Sequence, residues 1–279
     1  MDAPYAMLEP LEPGVGRVLA HNPSAFTFTG TQTYLVGDAE VAVIDPGPAN
    51  VAHLEALQEA IGGRPVAAIM CTHTHRDHSP ASRPLADATG APIVGCGPLS
   101  IEGTGLEAGF DHDYSPDRVL ADGESVEVNG RELIAVATPG HTSNHLCFAF
   151  GDALFSGDHV MGWSTTVVVP PDGDMADYMA SLAKLRQRSD RILYPAHGPP
   201  VTNPAQYLRH LIGHRMQREK QISRIVGEAP RTVPEIVALA YPGLDPRLVL
   251  AAGGSVTAHL VDLQRRGLVE SEGETWISR

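Results

Sequence analysis

The chain has 279 residues, enough for one large core, or one core and a small second domain. Its 20 Lys+Arg against 33 Asp+Glu leave a net charge of −13, which disfavours tight, non-specific binding to nucleic-acid phosphates. An apolar fraction of 43% is that of a globular protein, and no apolar run approaches the roughly 18 residues of a membrane span. Cys71, Cys96 and Cys147 have no paired spacing and sit in or beside apolar runs, so they read as buried thiols. With an N-terminus that lacks the basic and apolar regions of a signal peptide, this points to a reducing, cytoplasmic setting without a membrane partner.

In chain order, residues 17–45 read as strands. Residues 27–29 and 33–36 flank Gly30, and 41–45 follow a Gly37-Asp38 turn. Asp45-Pro46-Gly47-Pro48 then breaks the strand; Asp45 is either a plain turn aspartate or a support for a metal ligand. Val51, Leu54, Leu57 and Ile61 fall at helical spacing. The apolar run 66–71 leads into Thr72-His73-Thr74-His75-Arg76-Asp77-His78. Imidazole nitrogens and a carboxylate this closely spaced are the donors that a catalytic Zn²⁺ takes. Alternation along an extended chain puts His73 and His75 on one face, while Asp77 and His78 lie past the turn and can reach a second ion. Ser79-Pro80 reads as a helix start, with serine as cap and proline at the first helical position.

Residues 96–117 are glycine-rich and irregular, and their His112 reads as a surface residue. Strands resume at 125–128, 132–138, 145–150 and 153–156. A helix over 172–188 carries Met175, Tyr178, Leu182 and Leu185 on one face, a core stripe. Further donors end the apolar segments: His141 after Thr138-Pro139-Gly140, Asp158 after Gly157, and His197 after Pro195-Ala196. Strand, turn and donor, repeated, describe one site on loops at one edge of a scaffold. His145 is either a support for that site, a proton donor to a leaving group, or an ordinary strand-start histidine. His159 is expected to point away from Asp158, and Trp163 to wall a pocket or, more simply, to pack inside.

After residue 204 the character changes. Long helical patterns at 205–227, from 232, and at 246–266 precede a short hairpin, Leu268-Val269-Glu270 to Thr275-Trp276-Ile277. Val249, Val256, Leu260 and Leu263 are expected to form a small core with Leu268 and Ile277. Arg265-Arg266 reads as a basic last turn complementing a helix C-terminus. Residues 1–203 balance at −15 and residues 204–279 at +2. Within 246–264, Arg247 alone is Lys or Arg, which weighs against a DNA-reading helix.

The ordered set of donor segments resembles the metallo-β-lactamase superfamily over about residues 15–203. The resemblance implies an α/β fold: a four-layer αβ/βα sandwich over 1–203, followed by a small winged-helix-like domain over 204–279. It implies that His73, His75 and His141 hold one ion, that Asp77, His78 and His197 hold a second, and that Asp158 bridges them. Asp77, Asp158 and His145 would then take part in hydrolysis by a hydroxide held between the ions. An all-nitrogen and oxygen shell suits two Zn²⁺ and also admits Mn²⁺ or Fe. The family more often has two glycines where Pro80-Ala81 stand here.

The tail resembles that of the endoribonuclease branch, which puts single-stranded RNA first among substrates. Small-molecule thioesters, esters or lactones, as in glyoxalase II-like members, come second, and β-lactams last. Duplex DNA is not expected as a partner. The rival of another class is a metal-sensing, nucleic-acid-binding regulator.

Overall fold

A computed structural model describes residues 4–99 and 109–279. The chain forms two compact units: Met1–Thr138, Asn144–Ser164 and Asp190–Thr202 make the first, and Pro139–Ser143, Thr165–Ser189 and Asn203–Arg279 the second. In the first, β1 (Leu8–Glu12), β2 (Val15–Leu19), β3 (Gln32–Val36), β4 (Val41–Ile44), β5 (Val66–Cys71), β6 (Ile93–Gly95) and β7 (Arg118–Val119) form one sheet in that order. The strands are antiparallel up to β4 and parallel from β4 to β7. Parallel neighbours need crossovers, and α1 (Val51–Ile61) and α2 (Ser82–Thr89) supply them on either side of β5.

A second sheet runs β12-β11-β10-β9-β8. In it β8 (Ser125–Val128), β9 (Arg131–Ala137), β10 (Leu146–Phe150) and β11 (Ala153–Gly157) form an antiparallel meander, and β12 (Ile192–Pro195) lies parallel to β11. Val36, Ile44, Ile69 and Met70 of the first sheet share one core with Leu133, Phe148 and Phe155 of the second. β4 and β10 are buried at every residue, which explains their unbroken apolar runs. Together these elements form the α/β sandwich that the resemblance implies.

The second unit contains α3 (Met175–Arg186), α4 (Pro204–Glu228), α5 (Val233–Ala240) and α6 (Val249–Arg265), the last preceded by a 3-10 turn, Pro246–Leu248. Its sheet is β13 (Arg231–Thr232), β15 (Thr275–Ser278) and β14 (Val269–Glu272), in that spatial order. Asp174 caps α3 by accepting from the amides of Ala176 and Asp177. Ile222, Ile236, Val256, Leu260, Leu263 and Val269 form the core of the tail.

The structure corrects several sequence expectations. Residues 27–29 form no strand: Phe28 is left-handed at φ 56°, and the Ser24 hydroxyl takes the amides of Phe26 and Thr27. Ser79 does not cap α2; its hydroxyl donates to Asp111, and the helix starts at Ser82 behind Ala81. Val249 and Leu268 stay outside the tail core, at 43% and 50% exposure, because they sit where the chain enters and leaves α6; Val269 takes the place expected for Leu268, and Trp276 packs against the core in place of Ile277. The strand β13 was not foreseen, being only two residues long. Of the irregular segment 96–117, residues 100–108 lie outside the described residues.

Candidate metal centre

The site begins where β5 leaves the sheet. Asp45, at the end of the neighbouring parallel strand β4, takes the Thr72 amide on Oδ1 at 2.7 Å and the Thr72 hydroxyl on Oδ2 at 2.8 Å. The same Oδ2 lies 3.0 Å from His78 Nδ1. One buried carboxylate thus fixes both ends of the histidine loop. Asp45 is thus more than a plain turn aspartate: it contacts His78, one of the candidate donors. The signal in the sequence was its place at the end of the strand that pairs in parallel with β5.

Two groups of donors follow. Ligand atoms of His73, His75, His141 and Asp158 lie within 4.8 Å of one another, as do those of Asp77, His78 and His197. Most rings have one nitrogen occupied by the protein. His73 Nδ1 is 3.0 Å from the Thr72 hydroxyl, His141 Nδ1 is 2.7 Å from the Val167 carbonyl, and His197 Nδ1 is 3.1 Å from the Gly30 carbonyl. Such contacts fix the ring and its tautomer, as the partners behind metal-binding histidines do. His73 Nε2 and His75 Nδ1 approach to 2.8 Å.

Asp158 reaches both groups: it belongs to the first, and its oxygens lie 3.2 Å from His197 Nε2 and 3.7 Å from His78 Nε2. It is placed by Gly157, which has φ 50°. A Cβ there would come within 2.7 Å of His145 Nε2 and 2.8 Å of the Thr72 hydroxyl. Asp77 Oδ2 lies 3.3 Å from His78 Nε2 and 3.2 Å from His197 Nε2, and accepts from the Thr31 hydroxyl at 2.9 Å.

Burial would raise the pKa of Asp77 and of Asp158, but the positive fields of His78 and His197 hold both well below the carboxylate range. Burial would conversely lower the two imidazoles. Asp77, Asp158 and Asp45 instead push His78 up, and Asp158 and Asp77 bring His197 to about 10. Anionic oxygens and imidazoles converging in a buried space, with no thiolate in either group, fit two divalent ions with nitrogen and oxygen ligands.

The remaining candidates fall outside both groups. His145 is buried, its Nδ1 2.9 Å from the Thr138 hydroxyl and its ring 5.2 Å from that of His73. His159 is buried with its ring 5.8 Å from that of His145, and His112 is exposed. Trp163 is 36% exposed and stacks on Phe28 at 4.9 Å, so the simpler expectation of inside packing does not hold. Arg265 pairs with Asp174, and Arg266 with Glu219 and Asp262, so both are engaged by carboxylates. No helix among the described residues is long and apolar enough to cross a membrane.

Comparison with known proteins agrees with this geometry. Residues 26–197 match the model of the metallo-beta-lactamase superfamily, and residues 232–276 that of the beta-lactamase associated winged helix domain. The chain is 33% identical over 273 residues to beta-lactamase-like protein 2 homolog of Caenorhabditis elegans, covering 95% of this chain and 88% of that one. It is 32% identical over 225 residues to an atrochrysone carboxyl ACP thioesterase of Aspergillus fumigatus, covering 76% of this chain and 64% of that one. A solved beta-lactamase domain protein from Burkholderia ambifaria superposes with a TM-score of 0.83 at 19% identity, over 98% of this chain and 94% of that chain.

Proposed function

The chain belongs to the metallo-β-lactamase superfamily of hydrolases, and from that premise we propose that it is a two-ion hydrolase of acyl thioesters or related esters. The observation that carries the two-ion reading is Asp158, whose carboxylate faces both groups of donors. His73, His75, His141 and Asp158 would hold one ion, and Asp77, His78, His197 and Asp158 the other. Divalent ions held there would supply an activated water and polarise the oxygen of the group attacked. The protein's own residues do the positioning. Asp77, oriented by the Thr31 hydroxyl, would orient the water by accepting its hydrogen bond. His145, packed beside His73 and tied to Thr138, supports the ligand ring.

Three observations favour an acyl substrate. The thioesterase relative spans most of the chain. The net charge of −13 disfavours a polyanion. The Phe28–Trp163 pair offers an exposed apolar face close along the backbone to His197: Gly30 accepts from its ring, and the Gly162 amide donates to its carbonyl. Single-stranded RNA is the second reading, favoured by the winged-helix match over 232–276.

The test is a screen of metal-loaded and chelated protein on acyl thioesters, esters, lactones, single-stranded RNA and a β-lactam. Turnover of thioesters above the others, lost on chelation, is expected. Cleavage of RNA in preference to every acyl substrate would replace the first reading with the second.

A further inference from the structure

Arg215 is an unusual residue for the middle of a helix. It lies in α4, is 3% exposed, and its Nε has no hydrogen-bond partner among the described residues. Burying a guanidinium is expensive unless its remaining donors are well used. Its Nη2 donates to the main-chain carbonyl of Thr166, and its Cζ stands 5.2 Å from the centre of the Tyr178 ring. Residues 165–169 have no regular secondary structure, so no ladder of backbone hydrogen bonds holds them. The next carbonyl, that of Val167, is the one that receives His141 Nδ1 at 2.7 Å.

A second contact holds the same segment from α6. Gly254 faces Val169: a Cβ at Gly254 would stand 2.7 Å from Val169 Cγ2 and 3.0 Å from Cγ1. A glycine inside a helix lowers helix propensity, and here it lets the segment approach. Arg215, Gly254, Thr166, Val167 and His141 all lie in the second unit.

We propose that Arg215 is a positioning residue for the ligand His141: by holding the Thr166 carbonyl it fixes the adjacent Val167 carbonyl on which the His141 ring rests. Planar peptides leave few soft torsions between consecutive carbonyls, so restraint at Thr166 passes to Val167. The carbonyl in turn sets the His141 tautomer and presents Nε2. In this way α4 and α6 take part in metal binding without contributing a ligand. The inference rests on the two-ion reading of the site.

The test titrates chelated full-length protein with Co²⁺, reading affinity by calorimetry and coordination by the visible spectrum. His141→Ala and His197→Ala identify the signals of the first and second donor groups. Arg215→Met is expected to weaken the first group's Co²⁺ about tenfold or more and change its spectrum, with the second group's affinity unchanged. Arg215→Lys, which keeps a donor, recovers part of the loss. Gly254→Ala leaves Arg215 in place and improves helix propensity, yet displaces Val169, and is expected to weaken the same group selectively. The thermal transition and circular dichroism of the chelated variants serve as folding controls.

A folded Arg215→Met with the wild-type affinity and spectrum at the first group overturns the proposal, as does equal weakening of both groups. If Arg215→Met does not fold, Arg215→Gln, whose shorter side chain cannot span to the Thr166 carbonyl, takes its place, and wild-type Co²⁺ affinity and spectrum at the first group in that folded variant overturn the proposal. Failure of the wild-type protein to bind Co²⁺ at all would instead remove the two-ion reading.

Discussion

At the scale of single residues, Asp158 and Asp45 do different work with the same functional group. Asp158 faces both groups of donors, and Gly157 is the residue that permits its turn. Asp158→Ala is therefore expected to cut hydrolysis by more than about 100-fold, beyond the 10–100-fold typical of partners that only orient ligands. His159→Ala, next in sequence but in neither group, should lose far less; equal losses in steady-state assays of the folded variants would contradict the assignment. Asp45 touches Thr72 and His78 and belongs to neither group. Asp45→Ala should lower metal affinity at the Asp77–His78–His197 group by about 10–100-fold, read by titration against a competing chelator. Wild-type affinity there would show that Asp45 only shapes the turn.

The seven residues that gather into the two groups stand out in the sequence because each ends an apolar segment and four of them share one motif. The carbonyls of Gly30 and Val167 do not, because a backbone acceptor leaves no mark on residue type. Asp45 was half legible: its position was visible, but its hydrogen bonds cross 27 and 33 residues.

At the scale of elements, strongly patterned segments were readable and chemically ambiguous ones were not. The β5 strand, α1, α3 and the β9–β10–β11 meander follow their apolar periodicities. Residues 27–29 have strand-forming side chains, yet the local hydroxyl contacts of Ser24 and Thr27 win. Ser79 has the chemistry of a cap, but Asp111, 32 residues on, takes its hydroxyl.

In α6, His259 is buried among Val256, Leu260 and Leu263, and neither ring nitrogen has a hydrogen-bond partner among the described residues. Burial, reinforced by Arg215, Arg218, His214 and Arg266, pushes its pKa down to about 3. A histidine this depressed stays neutral in the fold while the unfolded chain takes up a proton. Stability present above about pH 6.5 is therefore lost as pH falls toward 3, at up to about 1.4 kcal/mol per pH unit for this one proton. His53 in α1, lowered to about 4 chiefly by burial, adds a loss of the same sign. His259→Leu is expected to keep or raise stability at pH 7 and to flatten the decline between pH 6.5 and 4.5, measured by denaturant unfolding. An unchanged slope would mean that His259 is protonated in the fold.

At the scale of the whole molecule, charge and domain content point in different directions. Winged-helix domains suit nucleic acid, but residues 204–279 balance at only +2, and the remainder at −15. Titration with duplex DNA is expected to show no sequence-specific binding at about 0.15 M salt, because few phosphates could be neutralised. Specific binding that survives that salt would favour the regulator reading.

The most direct test of the two-ion hydrolase is a metal titration of chelated protein, with bound metal and thioester hydrolysis followed together. Two equivalents should bind, with hydrolysis absent in the chelated protein and complete only as the second site fills. Saturation at one equivalent, or hydrolysis that survives chelation, would contradict it.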